Sequence, residues 1–238
     1  ASTLSISNTE TVTGGSAADT ITLGSALTTS TTVDLAAGSD RLTLANTANT
    51  GTVSNVETIT GGTGDDTITL GGAITNGSIN LGAGTDSLTL ADGTNSATVS
   101  NTETIIGTTG PNTITLGSGV TNGSVDLGSG SDRLVLGNFA NSISISNVET
   151  LTGGTLADTV TLSTLLSGGV AIDLGGGSDR LTLADGTNSG TISNIETTVG
   201  GTGDDTLTLG RGVTSASIDL GAGNDTLTLA AAANSLTV

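Results

Sequence analysis

The stretch that decides the fold is GGTGDDTITL, residues 61–70, which returns at residues 200–209 with Leu207 for Ile68. Its first six residues are a glycine- and aspartate-rich turn. In its last four, Thr67-Ile68-Thr69-Leu70, threonine and apolar residues alternate, as a strand with one buried face requires. A near-copy, LGAGTDSLTL, follows at residues 81–90. Working outward, the tetrapeptide Ser-Asn-x-Glu recurs at Ser7–Glu10, Ser54–Glu57, Ser100–Glu103, Ser146–Glu149 and Ser193–Glu196. A fixed period of 46–47 residues signals a repeat architecture. The chain reads as a single repeat array over residues 1–238, with repeats at 7–53, 54–99, 100–145, 146–192 and 193–238.

Each repeat divides again. The turn position held by Asp66 is held elsewhere by Asp19, Asp40, Asp86, Asn112, Asp132, Asp158, Asp179, Asp205 and Asp225, at alternating short and long spacings. That pattern predicts about ten coils, two per repeat, each with three short strands. Short strands separated by Gly- and Asn-rich turns pair best with their copies in the next coil. The expectation is an all-β, right-handed parallel β-solenoid with coils roughly 4.8 Å apart. A propeller would need tight antiparallel hairpins, and the sequence lacks them at regular places.

The turn Gly-Gly-Thr-Gly-Asp-Asp followed by Thr-Ile-Thr resembles the RTX (haemolysin-type) calcium-binding nonapeptide, Gly-Gly-x-Gly-x-Asp. The resemblance is complete at Gly61–Asp66 and Gly200–Asp205. With Leu for the first Gly it extends to Leu81–Asp86, Leu127–Asp132, Leu174–Asp179 and Leu220–Asp225. Gly14–Asp19 and Gly153–Asp158 lose a glycine of the motif, Leu35–Asp40 carries Ala for one Gly, and Gly107–Asn112 carries Pro111 and ends in Asn. The family implies a parallel β-roll on secreted bacterial proteins, with calcium held between turns by backbone carbonyls and the motif's Asp. The metal candidates are therefore Asp66, Asp86, Asp132, Asp179, Asp205 and Asp225, with Asp19, Asp40 and Asp158 as weaker members. Stacked in one column, such carboxylates repel and call for cations, protons or backbone amides. The alternative is that each Asp caps its own turn. Asp34, Asp126, Asp173 and Asp219, with Asn80, are a second acidic set, either further ligands or solvated turn residues. Asn8, Asn55, Asn101, Asn147 and Asn194 are expected to form an amide ladder, with the neighbouring Glu residues outward and solvated.

Composition narrows the function. The chain has 22 acidic and four basic side chains, Arg41, Arg133, Arg180 and Arg211, for a net charge of −18. No basic face exists to neutralise phosphates, so nucleic acid is excluded as a partner. No apolar run is long enough for membrane insertion. With no His, Cys, Lys or Tyr, most general bases and nucleophiles are missing, and no enzyme and no small-molecule substrate is expected. The expected function is an extracellular structural protein of the bacterial cell surface: an S-layer, matrix fibre or adhesin stalk. Residues 2–6 and 234–238 read as the same strand of the repeat, so Leu4, Ile6, Leu236 and Val238 are candidate assembly residues for head-to-tail self-association. The rival is a binding module, ice-binding or adhesive, using outward Thr-x-Thr ranks at Thr20/Thr22, Thr67/Thr69, Thr113/Thr115, Thr159/Thr161, Thr206/Thr208 and Thr226/Thr228. Arg41, Arg133 and Arg180 interrupt those ranks, and are expected to answer nearby carboxylates or contact a neighbouring molecule.

Overall fold

The computed structural model describes all 238 residues, and every regular element in it is a β-strand. The residues group into two compact units, Ala1–Ser118 with Leu127–Gly130, and Gly119–Asp126 with Ser131–Val238. The first unit holds β1 (Thr3–Ile6), β2 (Thr11–Thr13), β3 (Thr20–Leu23), β4 (Thr32–Asp34), β5 (Arg41–Thr43), β6 (Thr50–Ser54), β7 (Thr58–Gly62), β8 (Thr67–Leu70), β9 (Gly77–Gly82), β10 (Ser87–Thr89), β11 (Asn95–Ser100), β12 (Thr104–Ile106) and β13 (Asn112–Leu116). The second holds β14 (Thr121–Asp126), β15 (Arg133–Val135), β16 (Ser142–Ser146), β17 (Thr150–Gly154), β18 (Thr159–Leu162), β19 (Ala171–Gly175), β20 (Arg180–Thr182), β21 (Ser189–Ser193), β22 (Thr197–Thr202), β23 (Thr206–Leu209), β24 (Thr214–Ala222), β25 (Thr226–Thr228) and β26 (Ser235–Thr237).

Within each unit the odd-numbered strands form one parallel sheet and the even-numbered strands the other. The chain is thus a parallel β-solenoid of about 12 turns with two parallel sheets, close to the ten coils expected. Each turn has two strands, not three. Thr3 pairs with Thr20, Thr20 with Arg41, Arg41 with Thr58, Thr58 with Ser78 and Ser78 with Thr98, so each turn takes either 17 residues or 20–21. Five strands fit in one repeat, and a repeat makes two and a half turns. Equivalent residues of successive repeats therefore fall on opposite sheets: Thr67 of β8 on the even sheet, Thr113 of β13 on the odd one.

Alternation dictates the core. In β8 and β23, Ile68, Leu70, Leu207 and Leu209 are buried while the threonines between them are exposed. Parallel pairing stacks like on like. Ile21, Leu42, Ile59 and Ile79 lie in register along the odd sheet, and Ile68, Leu88 and Ile105 along the even one, all buried. β-branched and Leu side chains fill such a thin, repeated core without aromatic residues. The outward threonines form rows on both sheets rather than one. Arg41 stands in register between Thr20 and Thr58, and Arg180 between Thr159 and Thr197.

Candidate functional site

The half-turn offset divides the turn aspartates between two edges. Asp19, Asp40, Asp132, Asp205 and Asp225 precede odd strands, whereas Asp66, Asp86, Asp158 and Asp179 precede even ones. The single column expected from the spacing is therefore not formed. Short ladders take its place, each running over successive turns at one edge.

The ladder at Asp66 shows the construction. Asn49, fully buried, donates its backbone N–H and its Nδ2 to Oδ1 of Asp66, at 2.9 and 2.8 Å. The Asp66 amide donates to Asp86 Oδ1 at 2.7 Å, and the Asp86 amide donates to Glu103 Oε2 at 2.8 Å. Asn49 is itself fixed, because Nδ2 reaches the Ala45 and Thr47 carbonyls and Oδ1 accepts the Leu27 amide. The sequence Asn–Asp–Asp–Glu thus serves backbone amides that lie just before strands and have no ladder partner. The same four rungs recur at Asn141, Asp158, Asp179 and Glu196. Asn188, Asp205 and Asp225 give three rungs, and Ser2, Asp19, Asp40 and Glu57 substitute a serine amide at the first. Elsewhere Asn95 donates to Asn112 Oδ1, and the Asp132 amide donates to Glu149 Oε2.

Capping one turn from the next is the geometry observed, but it satisfies only half of each carboxylate. Oδ2 of Asp40, Asp66, Asp86, Asp158, Asp179 and Asp205 is buried with no hydrogen-bond partner. Glycine makes room for this. A Cβ on Gly61 would fall on the Leu81 carbonyl and within 2.6 Å of Asp66 Oδ2. Neighbouring carboxylates roughly 5 Å apart repel by about 3 kcal/mol at an effective dielectric of 20. Burial, with the charges of Asp66 and Glu103, pushes Asp86 up to about 6. Burial, with Asp158 and Glu196, does the same to Asp179, and burial also raises Asp158. Asp19 goes the other way, held down by the Gly15 and Ser2 amides.

Three other expectations are corrected. Glu57, Glu103, Glu149 and Glu196 are not outward and solvated; they are half-buried, because each accepts an aspartate amide from the preceding turn. Asn8, Asn55, Asn101, Asn147 and Asn194 do not stack on one another, because they too alternate between edges. They occupy the left-handed region at φ 51–53°, which asparagine tolerates, and four of them donate Nδ2 to the second acidic set. Asn55 donates to Asp34, Asn101 to Asn80, Asn147 to Asp126 and Asn194 to Asp173. Asp219 caps the Gly221 amide in its own turn. Finally, of the two roles expected for the arginines, pairing with a nearby carboxylate is not formed within the chain, where Arg41 reaches only the Thr60 hydroxyl.

Sequence reasoning missed the buried asparagines Asn49, Asn95, Asn141 and Asn188. Their signal was present: they recur with the repeat, 17 residues before the Asp or Asn they hold. They sit outside the glycine motif, however, in turns that resemble ordinary loops.

The family model described as RTX calcium-binding nonapeptide repeat (4 copies) matches residues 53–73, 99–120 and 195–213. No curated protein and no solved structure matches the chain. The matched stretches contain Asp66, Asn112 and Asp205 and omit Asp86, Asp132, Asp179 and Asp225. No three acidic side chains converge on one point. The residues present nevertheless fit calcium in charge and donor type, since the buried Oδ2 atoms are hard oxygen donors lacking any positive partner. Residues 53–73, 99–120 and 195–213 of this parallel β-solenoid are thus similar to RTX nonapeptide repeats, which are calcium-binding.

Proposed function

We propose that this chain is an extracellular structural protein of a bacterial cell surface, an S-layer, matrix-fibre or adhesin-stalk component stabilised by calcium and joined end to end through its stacked strands. RTX repeats are typical of secreted bacterial proteins, and RTX-repeat β-solenoids are typically structural or binding proteins rather than enzymes. No helix of the chain is long and apolar enough to cross a membrane. The observation that carries the reading is the set of buried carboxylates whose second oxygen has no partner, two of which, Asp66 and Asp205, lie in stretches that match a calcium-binding repeat. Calcium is assigned to Asp66, Asp86, Asp132, Asp179, Asp205 and Asp225, with Asp19, Asp40 and Asp158 as further ligands. Self-association is assigned to the sheet edges at β1 and β26, where Leu4 is exposed, Ile6 and Leu236 are half-buried and Val238 is 82% exposed. Parallel edge strands of this kind accept another strand by backbone pairing.

Negative-stain microscopy of the chain with calcium, and then with chelator, tests the proposal. Fibres or sheets that form with calcium and fall apart in chelator are expected. Monomeric particles in both conditions would overturn end-to-end assembly.

A further inference from the structure

One corner of the fourth repeat is hollow. Two backbone bonds bracket it, from the Ser163 amide to the Ile145 carbonyl and from the Ala171 amide to the Glu149 carbonyl. The acceptors are four positions apart and the donors eight, so residues 164–170 cannot lie flat on the shorter stretch they stack against. The gap is a cavity of about 90 Å³ walled by Leu151, Leu162, Leu166 and Val170. In the second repeat the corresponding donors, Gly71 and Ser78, are seven positions apart, and the cavity is about 40 Å³. In the first repeat the spacing is eight again, but the hydroxyls of Thr28, Ser30 and Thr31 bond to one another and about 10 Å³ is left. Gly168, Gly169 and Val170 replace Thr29, Ser30 and Thr31 in the fourth repeat, so nothing ties that turn down. Leu165, standing where Ala26 and Ala73 stand, is 50% exposed, and Val148 is half-buried where Val56 is buried. Two polar side chains line the same cavity. Glu149 Oε2 accepts the Asp132 amide, and Asn147 donates Nδ2 to Asp126. Glu149 Oε1 and Asn147 Oδ1 accept no hydrogen bond within the chain.

We propose that this corner binds a primary alkylammonium group carried on a short aliphatic stem, as a free amine or as the lysine side chain of a partner protein. Size sets the stem. A cavity near 150 Å³ holds benzene, so one of about 90 Å³ suits a stem of roughly four carbons with its nitrogen. The stem lies against Leu, Val and Ile side chains, where its burial is favourable. Charge sets the head. An ammonium brings three donors and no acceptor, and Glu149 Oε1 and Asn147 Oδ1 are the acceptors left open to it. A neutral apolar occupant would take water from the Glu149 carboxylate and give it nothing in return. The net charge of −18 also draws cations toward the chain. The chain contains no lysine, so neither it nor a second copy supplies the side chain. The site does not depend on the calcium reading above.

Methyl NMR of the full chain in calcium-containing buffer, titrated with n-butylammonium, n-butanol and acetyl-lysine methylamide, tests the site. n-Butylammonium is expected to shift the methyls of Val148, Leu151, Leu166 and Val170 saturably, and to bind about tenfold more tightly than n-butanol. Glu149→Gln keeps an oxygen for the Asp132 amide and is expected to abolish that preference. Val148→Leu fills part of the cavity and is expected to weaken n-butylammonium binding several-fold, which keeps the test open should Glu149→Gln fail to fold. Acetyl-lysine methylamide binding as tightly as n-butylammonium supports a partner's lysine as the ligand, and much weaker binding supports a free amine. The inference is overturned if none of these methyls shifts saturably, or if n-butanol binds as tightly as n-butylammonium. It is equally overturned if the preference persists in folded Glu149→Gln, or if Val148→Leu leaves the affinity unchanged.

Discussion

A carboxyl group closed off from water beside another carboxylate holds its proton to higher pH than it does in the unfolded chain. Asp86 and Asp179 do so, from 3.8 to about 6, chiefly through burial. Because the folded state then binds more protons, their contribution favours folding fully below 3.8 and is lost as pH rises through about 6. In chelator, the melting temperature is expected to fall between pH 4 and pH 7, and calcium added at the upper end is expected to restore it. A chelator melting curve that rises across that window would contradict the ladder electrostatics. Thr198 is another residue at odds with its surroundings. It occupies the core position held by Ile59, Ile105 and Leu151, and its hydroxyl is buried without a partner. Thr198→Val removes that hydroxyl at nearly constant shape, and an increase in stability of about 1–3 kcal/mol is expected in urea unfolding.

At the scale of elements, strand and ladder cooperate. The alternating strands supply apolar stacks such as Ile21, Leu42, Ile59 and Ile79, and each ladder takes up the amides that precede the strands. Buried asparagine is the joint between them. Asn188 accepts the Leu166 amide, donates to the Ala184 and Gly186 carbonyls, and holds Asp205. Asn188→Ala leaves those groups buried and unpaired, and a loss of about 3 kcal/mol or more is expected from roughly 1–3 kcal/mol per orphaned group. Asn188→Asp keeps the acceptor but loses the donors and adds a charge beside Asp205, so it is expected to be at least as harmful. Equal stability of Asn188→Ala and wild type in a urea titration would refute the role assigned to the joint. The strands and the inward residues were legible from alternation alone, as in Thr67–Leu70. The joint was not, because its partners lie a full turn away in either direction, at separations of 17 and 22 residues.

At the scale of the whole molecule, a charge of −18 opposes close approach of two copies unless it is screened, protonated or neutralised by bound cations. This is the physical ground for expecting the fibres or sheets to need calcium. It also sets apart the four arginines, which are free of carboxylate partners within the chain and so are available to a neighbour's acidic turns.

The sequence by itself determined the class of fold, the repeat length, the inward-facing residues and the resemblance of the glycine turns to a calcium-binding repeat. Those follow from local alternation and from a motif written in consecutive residues. It did not determine that a repeat makes two and a half turns. The repeat length constrains only the product of turn length and turn number, and the division is settled by which strands pair. That pairing depends on 17-residue turns such as Arg41 to Thr58, which carry no glycine motif and leave no mark in the Asp spacing. From the half turn follow the two edges, the short ladders in place of one column, the inward glutamates and the asparagine joints. Only the tertiary structure decides these, because each is a contact between residues a full turn apart in a chain whose local text is nearly the same in every repeat.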